Sequence, residues 1–239
     1  MFRASLFIGL IASAVLPACA ASNAPDDEFG QESAADGEDG KGDSAAAFTY
    51  YAVRPDNRAC SLNSPGDCGV GFFVSRVNRS TTQCGRGSAQ SECKALAIDW
   101  SGTAMPASVS KSYEERLENG DDSFVLRGAL VPGADDRGTT LAVTEVWVGN
   151  TTEQADGVFA LVHDNGIRCI HAPCPSLTEL KLNSTLSAKI TGIDSSETID
   201  SAALFDAGLI IVGYRDYDSF GGKTRSANKY FTRAPVPLH

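Results

Sequence analysis

From Phe48 onward the apolar residues come in short runs that alternate with polar ones, and Gly, Pro, Asn and Asp separate the runs. Short runs bounded by turn residues mark strands. Ten segments read this way: FTYYAV (48–53), GFFVSRV (71–77), KALAIDW (94–100), SFVLRGALV (123–131), TLAVTEVWV (140–148), GVFALV (157–162), ELKLN (179–183), KITGI (189–193), LIIVGY (209–214) and KYFTR (229–233). Their β-branched and aromatic residues suit a pleated, half-buried surface. Strands recurring about every ten to twenty residues predict a mainly β fold, an antiparallel sandwich or barrel, with α+β as the alternative. Two segments predict short helices. KSYEERLE (111–118) carries helix formers without a long apolar face. Ser195–Gly208 carries the apolar Ile199, Ala203 and Phe205 and offers Gly208 as a C-cap.

The strands fall into two divergent repeats. YYAVRPDNRAC (50–60) lies over VFALVHDNGIRC (158–169), each running from an aromatic strand to Asp-Asn and a cysteine. FFVSRVNRST (72–81) matches TELKLNST (178–185), sharing an Asn and a Thr. AIDWSG (97–102) matches GIDSSE (192–197), and TLAVTEVWVG (140–149) is matched to GLIIVGYRDY (208–217). KYFTRA (229–234) resembles the aromatic strand that opens each repeat. The first half is ten residues longer between its Asn and Asp, around Cys84 and Cys93, which predicts an insertion with its own cysteine pair. One β-rich domain over 48–239 is expected, with repeat 1 over 48–149 and repeat 2 over 150–239. Each half is too small to own a full core.

The N-terminus sets the compartment. Ala4–Leu16 is an apolar run of thirteen residues after Arg3. It is too short to span a bilayer and fits a secretory signal. Leu16-Pro17-Ala18-Cys19 predicts a lipobox that closes a signal peptide over 1–19, with Cys19 lipidated and the protein held on a bacterial membrane, outer membrane or periplasmic face. Ala18-Cys19-Ala20 also reads as an ordinary cleavage site, which would release the protein freely. Residues 20–47 hold eight Asp/Glu, one Lys and one aromatic, a composition that predicts a disordered acidic tether.

That tether carries most of the charge. The chain has 20 basic and 30 acidic residues; without Arg3, Lys41 and the eight tether acids, 18 and 22 remain. A mildly acidic domain argues against nucleic acid as a partner.

Beyond Cys19, six cysteines remain: Cys60, Cys68, Cys84, Cys93, Cys169 and Cys174. The repeat makes Cys169/Cys174 the counterpart of Cys60/Cys68, so each pair is expected to close on itself and Cys84–Cys93 follows. An exported chain meets oxidising conditions that keep such pairs bonded. CIHAPCP (169–175) could be read as a zinc or copper site through Cys169, His171 and Cys174, or as a redox dithiol. The equivalent CSLNSPGDC (60–68) has no histidine, and four intervening residues with two prolines do not suit a redox motif. A stapled loop presenting Ile170, His171 and Pro173 is the favoured reading, with no metal and no cofactor.

The string DNGIRCIHAPCPS (164–176), CSLNSPGDCGVGFFV (60–74) and TEVW (144–147) resemble an uncharacterised domain family of secreted proteins in myxobacteria and relatives. The resemblance covers about residues 48–234 and implies no activity.

No G-x-S-x-G, H-E-x-x-H, P-loop or G-x-G-x-x-G motif is present. His163-Asp164 with Ser176 could be drawn as a catalytic set, but reads as a strand end beside a turn. The acidic pairs Asp121-Asp122, Asp135-Asp136 and Asp216/Asp218 sit where turns are expected. The sequence therefore predicts a lipid-anchored, non-enzymatic extracytoplasmic binding module for an unknown protein or surface ligand. A protease inhibitor working through the 169–174 loop is the second reading, and an uncharacterised enzyme the third.

Overall fold

The computed structural model describes residues 49–58, 69–84, 89–133, 138–151 and 154–234. The signal and lipobox, the tether and the Cys60–Cys68 loop lie outside these residues. In chain order the elements are β1 (Thr49–Pro55), β2 (Phe72–Arg76), β3 (Thr82–Gln83), β4 (Ala89–Gln90), β5 (Cys93–Ala95), β6 (Ala97–Asp99), a 3-10 turn (Ser101–Thr103), α1 (Ala107–Glu118), β7 (Phe124–Pro132) and β8 (Thr139–Gly149). Then follow β9 (Val158–Asp164), β10 (Leu177–Lys181), β11 (Ser187–Ile190), β12 (Gly192–Ser195), α2 (Ser201–Phe205), β13 (Leu209–Tyr217) and β14 (Lys223–Arg233). The mainly antiparallel β fold with few short helices is as the sequence pattern implied.

The pairings wind each half into a ring. β1 pairs with β2 and β7, β2 with β5, β7 with β8, and β6 runs parallel to β8. Only Leu96 separates β5 from β6, and its N–H donates to Thr139 O at 2.8 Å. β5 and β6 thus act as one bent strand that closes the ring between β2 and β8. The second half repeats this step for step: β9 pairs with β10 and β13, β10 with β11, β13 with β14, and β12 runs parallel to β14. Thr191, between β11 and β12, donates to Lys223 O at 2.7 Å. Each half is a five-stranded Greek-key barrel with a helix between its third and fourth strands, the connectivity of an OB-fold.

The barrels join at β8 and β14, where Gly149, Val148 and Trp147 pair with Phe231, Thr232 and Arg233. Trp147 and Phe231 occupy equivalent positions, so a pseudo-twofold axis passes through Val148 and Thr232. This register corrects two sequence matches. β13 is the counterpart of β7, not of β8, and KYFTRA belongs to β14, the counterpart of β8. Opposite Arg127/Gly128 and Val212/Gly213 the partner strands β8 and β14 each bulge by one extra residue, Thr144 and Asn228. A Cβ at Gly128 would stand 2.1 Å from Ala142 O, and one at Gly213 1.7 Å from Ser226 O. Glycine at both bends is required by backbone approach. The Asp-Asn match is also one residue out: Tyr50 is equivalent to Phe159, which sets Asp56 against Asn165.

Three apolar cores follow, one inside each barrel and one shared, so each half does own a core, contrary to the expectation from its size. Tyr51, Val53, Phe72, Val74, Leu126, Leu141 and Val143 fill barrel 1, with Leu117 of α1 fully buried against them. Ala160, Val162, Leu177, Ile190, Leu209 and Ile211 fill barrel 2. Val77, Val125, Trp147, Leu182, Ile210, Val212 and Phe231 form a third core, with Tyr50 and Phe159 packed against it. This third core is built from residues of both halves. Strand periodicity explains the division: in β1 Tyr51 and Val53 join the barrel core while Tyr50 and Ala52 join the shared one.

The interior of barrel 2 departs from that of barrel 1. Where barrel 1 has Val74, Leu130 and Leu141, barrel 2 has Glu179, Arg215 and Arg225. The carboxylate of Glu179 is fully buried and is held by both guanidinium groups. Arg215 Nε donates to Glu179 Oε1 at 2.8 Å, and Arg225 Nη1 donates to Gly213 O at 3.0 Å.

The helices differ from expectation. α1 begins four residues before the predicted segment. α2 covers only five residues of the predicted 195–208, with Asp200 accepting from Ala202 N as its N-cap. Gly208 does end that segment: it adopts φ +80° and donates to Ala203 O at 2.8 Å.

Candidate functional site

The Cys169–Cys174 segment connects β9 to β10 at the helix end of barrel 2. Its base closes where Asn165 N donates to Ser176 O at 3.0 Å. The Asn165 side chain then holds both arms of the loop. Its Oδ1 accepts from Ile167 N at 2.9 Å, while its Nδ2 donates to Pro175 O at 2.9 Å and to Thr178 Oγ1 at 3.2 Å.

Asp164 steadies the first arm. It accepts from Gly166 N at 2.8 Å, and Arg168 Nη2 pairs with its carboxylate at 3.0 Å. The Gly166 N–H and then Arg168 hold the Asp164 carboxyl below its usual range. Gly166 takes φ +77°, which glycine adopts without strain. The disulfide Cys169–Cys174 spans Cα atoms 5.5 Å apart and pins the tip, where the Ala172–Pro173 bond is cis.

What this scaffold presents is apolar. Ile170 is 94% exposed, and His171 and Pro173 are also exposed. Phe205 of α2 stands beside the loop at 65% exposure, with the Arg168 guanidinium 5.9 Å from its ring centre. Phe205 is one of the apolar residues of the predicted helical segment. Ala203 and Leu204 pack against the core of barrel 2, and Phe205, about 200° round the helix from Ala203, joins the exposed surface. Chain distance hid this neighbour, because 205 and 168 meet only through barrel closure.

The second observed disulfide, Cys84–Cys93, belongs to the insertion between β2 and β5 and lies beside the β3–β4 hairpin. Cys93 is 1% exposed. The Cys60–Cys68 pair lies outside the described residues. At the base of that loop Asp56 N donates to Gly71 O at 2.9 Å, and the Asp56 carboxylate is paired with Arg58 at 2.7 Å and Lys94 at 3.1 Å.

The sequence matches the model of a family described as a domain of unknown function, DUF6748, over residues 49–226. The chain belongs to the DUF6748 family. No curated protein and no solved structure matches it.

Other candidate groups of this DUF6748 chain are absorbed by structure. His163 is exposed at the end of β9, across from Thr178, while Asp164 is engaged by Gly166 and Arg168. Asp121 accepts from Ser123 N and Arg116, and Asp122 lies 3.6 Å from Lys229. Asp218 accepts from Phe220 N and Gly222 N, closing the β13–β14 turn. Asp135-Asp136 lies outside the described residues. Among the described residues no cluster of three His, Cys, Asp or Glu is placed to hold a metal ion. Among them, too, no helix is long and apolar enough to cross a membrane.

Proposed function

We propose that this DUF6748 chain is a non-enzymatic extracytoplasmic binding module, lipid-anchored through Cys19, whose contact surface is the Cys169–Cys174 loop with Phe205. The observation that carries this reading is Ile170: a large aliphatic side chain held 94% exposed on a loop fixed by a disulfide, an ion pair and a bridging asparagine. Leaving such a group in water is unfavourable, and a rigid support lowers the cost of docking it into a partner. Two disulfides support an oxidising compartment. The lipobox and acidic spacer support display at a membrane surface, since lipidation supplies about 0.8 kcal/mol per buried CH₂ and stable anchoring takes more than one chain.

A photo-crosslinking amino acid at position 170 of the full chain, expressed in cells, tests the contact surface. The same residue at Lys189, on the outer face of barrel 2, serves as control. A discrete adduct is expected from position 170 alone; matching patterns from both positions would remove the reading. The anchor is tested separately with globomycin, which should accumulate precursor, and with Cys19→Ser, which should abolish partitioning into detergent.

A further inference from the structure

We propose that the Cys169–Cys174 ring is a substrate-like trap for a serine endopeptidase, with Ile170 in its primary pocket and Ile170–His171 as the scissile bond. This rests on the ring being a contact surface and names the partner's class. An endopeptidase cleft accepts a convex, exposed residue on a segment that no packing holds down, and Ile170 at 94% exposure meets that need. A β-branched aliphatic side chain selects an enzyme with an apolar pocket that cleaves after Val, Ile or Ala.

The distinctive feature is how the bond is bracketed. The disulfide joins the residue before Ile170 to Cys174, so cutting between 170 and 171 opens the ring but leaves both new ends covalently tethered through the disulfide. Each arm is also held by hydrogen bonds or an ion pair at the base of the loop. Arg168–Asp164 and Ile167 N to Asn165 Oδ1 fix the leading arm; Asn165 Nδ2 to Pro175 O and Asn165 N to Ser176 O fix the trailing one. Asn165 is therefore a positioning residue that grips both sides of the cut.

The chemistry closes on itself. The enzyme's serine hydroxyl adds to the Ile170 carbonyl and the C–N bond breaks. The hydroxyl proton passes to the departing His171 amine, leaving an Ile170 ester on the enzyme. In an ordinary loop the amine diffuses away and water completes hydrolysis. Here the amine stays beside the ester, and intramolecular attack of this kind corresponds to effective molarities on the order of 10⁵ M or more. The amine re-forms the amide and returns the proton to the serine, so the complex persists while product release is suppressed.

The test uses the full exported chain against a serine endopeptidase that cleaves after Val or Ala, read with a peptide p-nitroanilide carrying Val at the cleaved position. Stoichiometric inhibition is expected, with mass spectrometry finding a single cut, at Ile170–His171, in a minor fraction of the protein. Ile170→Asp should weaken inhibition by roughly 100-fold, the scale of losing an interface anchor, with an unchanged circular dichroism spectrum and melting temperature. Asn165→Ala should convert the inhibitor into a substrate that is cut and released. Absence of inhibition at micromolar protein, across enzymes with aliphatic, aromatic and basic preferences, overturns the proposal, as does cleavage elsewhere with 170–171 intact. Should the position-170 crosslink persist without inhibition, the contact surface stands and the endopeptidase does not. Loss of both removes both.

Discussion

Asn78 and Asn183 are equivalent across the pseudo-twofold axis, and each completes the opening strand of the other barrel. Asn183 accepts from Tyr50 N at 2.9 Å and donates to Tyr50 O at 2.8 Å and Val77 O at 2.9 Å. Asn78 accepts from Phe159 N at 2.9 Å and donates to Phe159 O at 2.7 Å and Leu182 O at 3.1 Å. Both adopt a left-handed backbone, φ +59° and +56°, which asparagine tolerates better than most residues. The amide is needed because each side chain must both accept and donate.

Asn78→Ala and Asn183→Ala are each expected to cost about 2–4 kcal/mol, from part-buried backbone groups left without partners. Asn183→Asp should be nearly as harmful despite its shape, since a carboxylate would face two carbonyl oxygens. Urea unfolding monitored by Trp fluorescence checks this, and a loss below half a kcal/mol for both alanine variants would show that water replaces the latch.

The buried triad gives a prediction of opposite sign for one substitution and for three. Glu179→Val alone leaves two guanidinium groups buried beside an apolar side chain, and about 3–5 kcal/mol should be lost. Glu179→Val with Arg215→Leu and Arg225→Leu installs the residues that barrel 1 carries at these positions. That variant should match or exceed the wild type by about 1–4 kcal/mol. Thermal melts of the two variants decide; a triple variant as unstable as the single one would mean that barrel 2 cannot pack as its twin does.

Acid should unfold the domain through its paired carboxylates. Arg58, then Lys94, hold the Asp56 carboxyl well below the usual range, and backbone N–H groups lower Asp164 and Asp218. Each folded-state value lies below the unfolded one of about 3.9. Their contribution is therefore complete above that value and lost as pH falls through it toward the folded-state values. Asp56→Asn should flatten the loss of melting temperature between roughly pH 5 and pH 2 relative to wild type. Parallel profiles would assign the acid response to other groups.

The two observed disulfides should differ in reducibility. Cys169 is exposed, whereas Cys93 is buried at 1%. Mild reductant followed by alkylation should label Cys169 and Cys174 first, with the fold retained and about 2 kcal/mol of stability removed. Peptide mapping by mass spectrometry reads the order; equal labelling would mean that the insertion opens as readily as the loop.

Strand positions, the two helices and the divergent duplication were legible because β-branched and aromatic residues cluster in short runs and because turns need particular residues. The shared Asn of the two turns was visible as a match, and its backbone conformation explains why it recurs in both halves. The cysteine spacing announced the 169–174 staple, and Ile170, His171 and Pro173 stand exposed on it. Periodicity reports which way a side chain faces, not which strand lies beside it. The matching of β13 with β7 thus needed the pairings: each is the strand that lies between the opening and the last strand of its own barrel. Phe205 is legible as an apolar helical residue, and its place beside the 169–174 loop is not. Glu179, Arg215 and Arg225 read as polar and become interior because barrel closure brings them together, 36 and 46 residues apart in the chain. Those assignments depend on which strands close each ring, and only the folded chain fixes them.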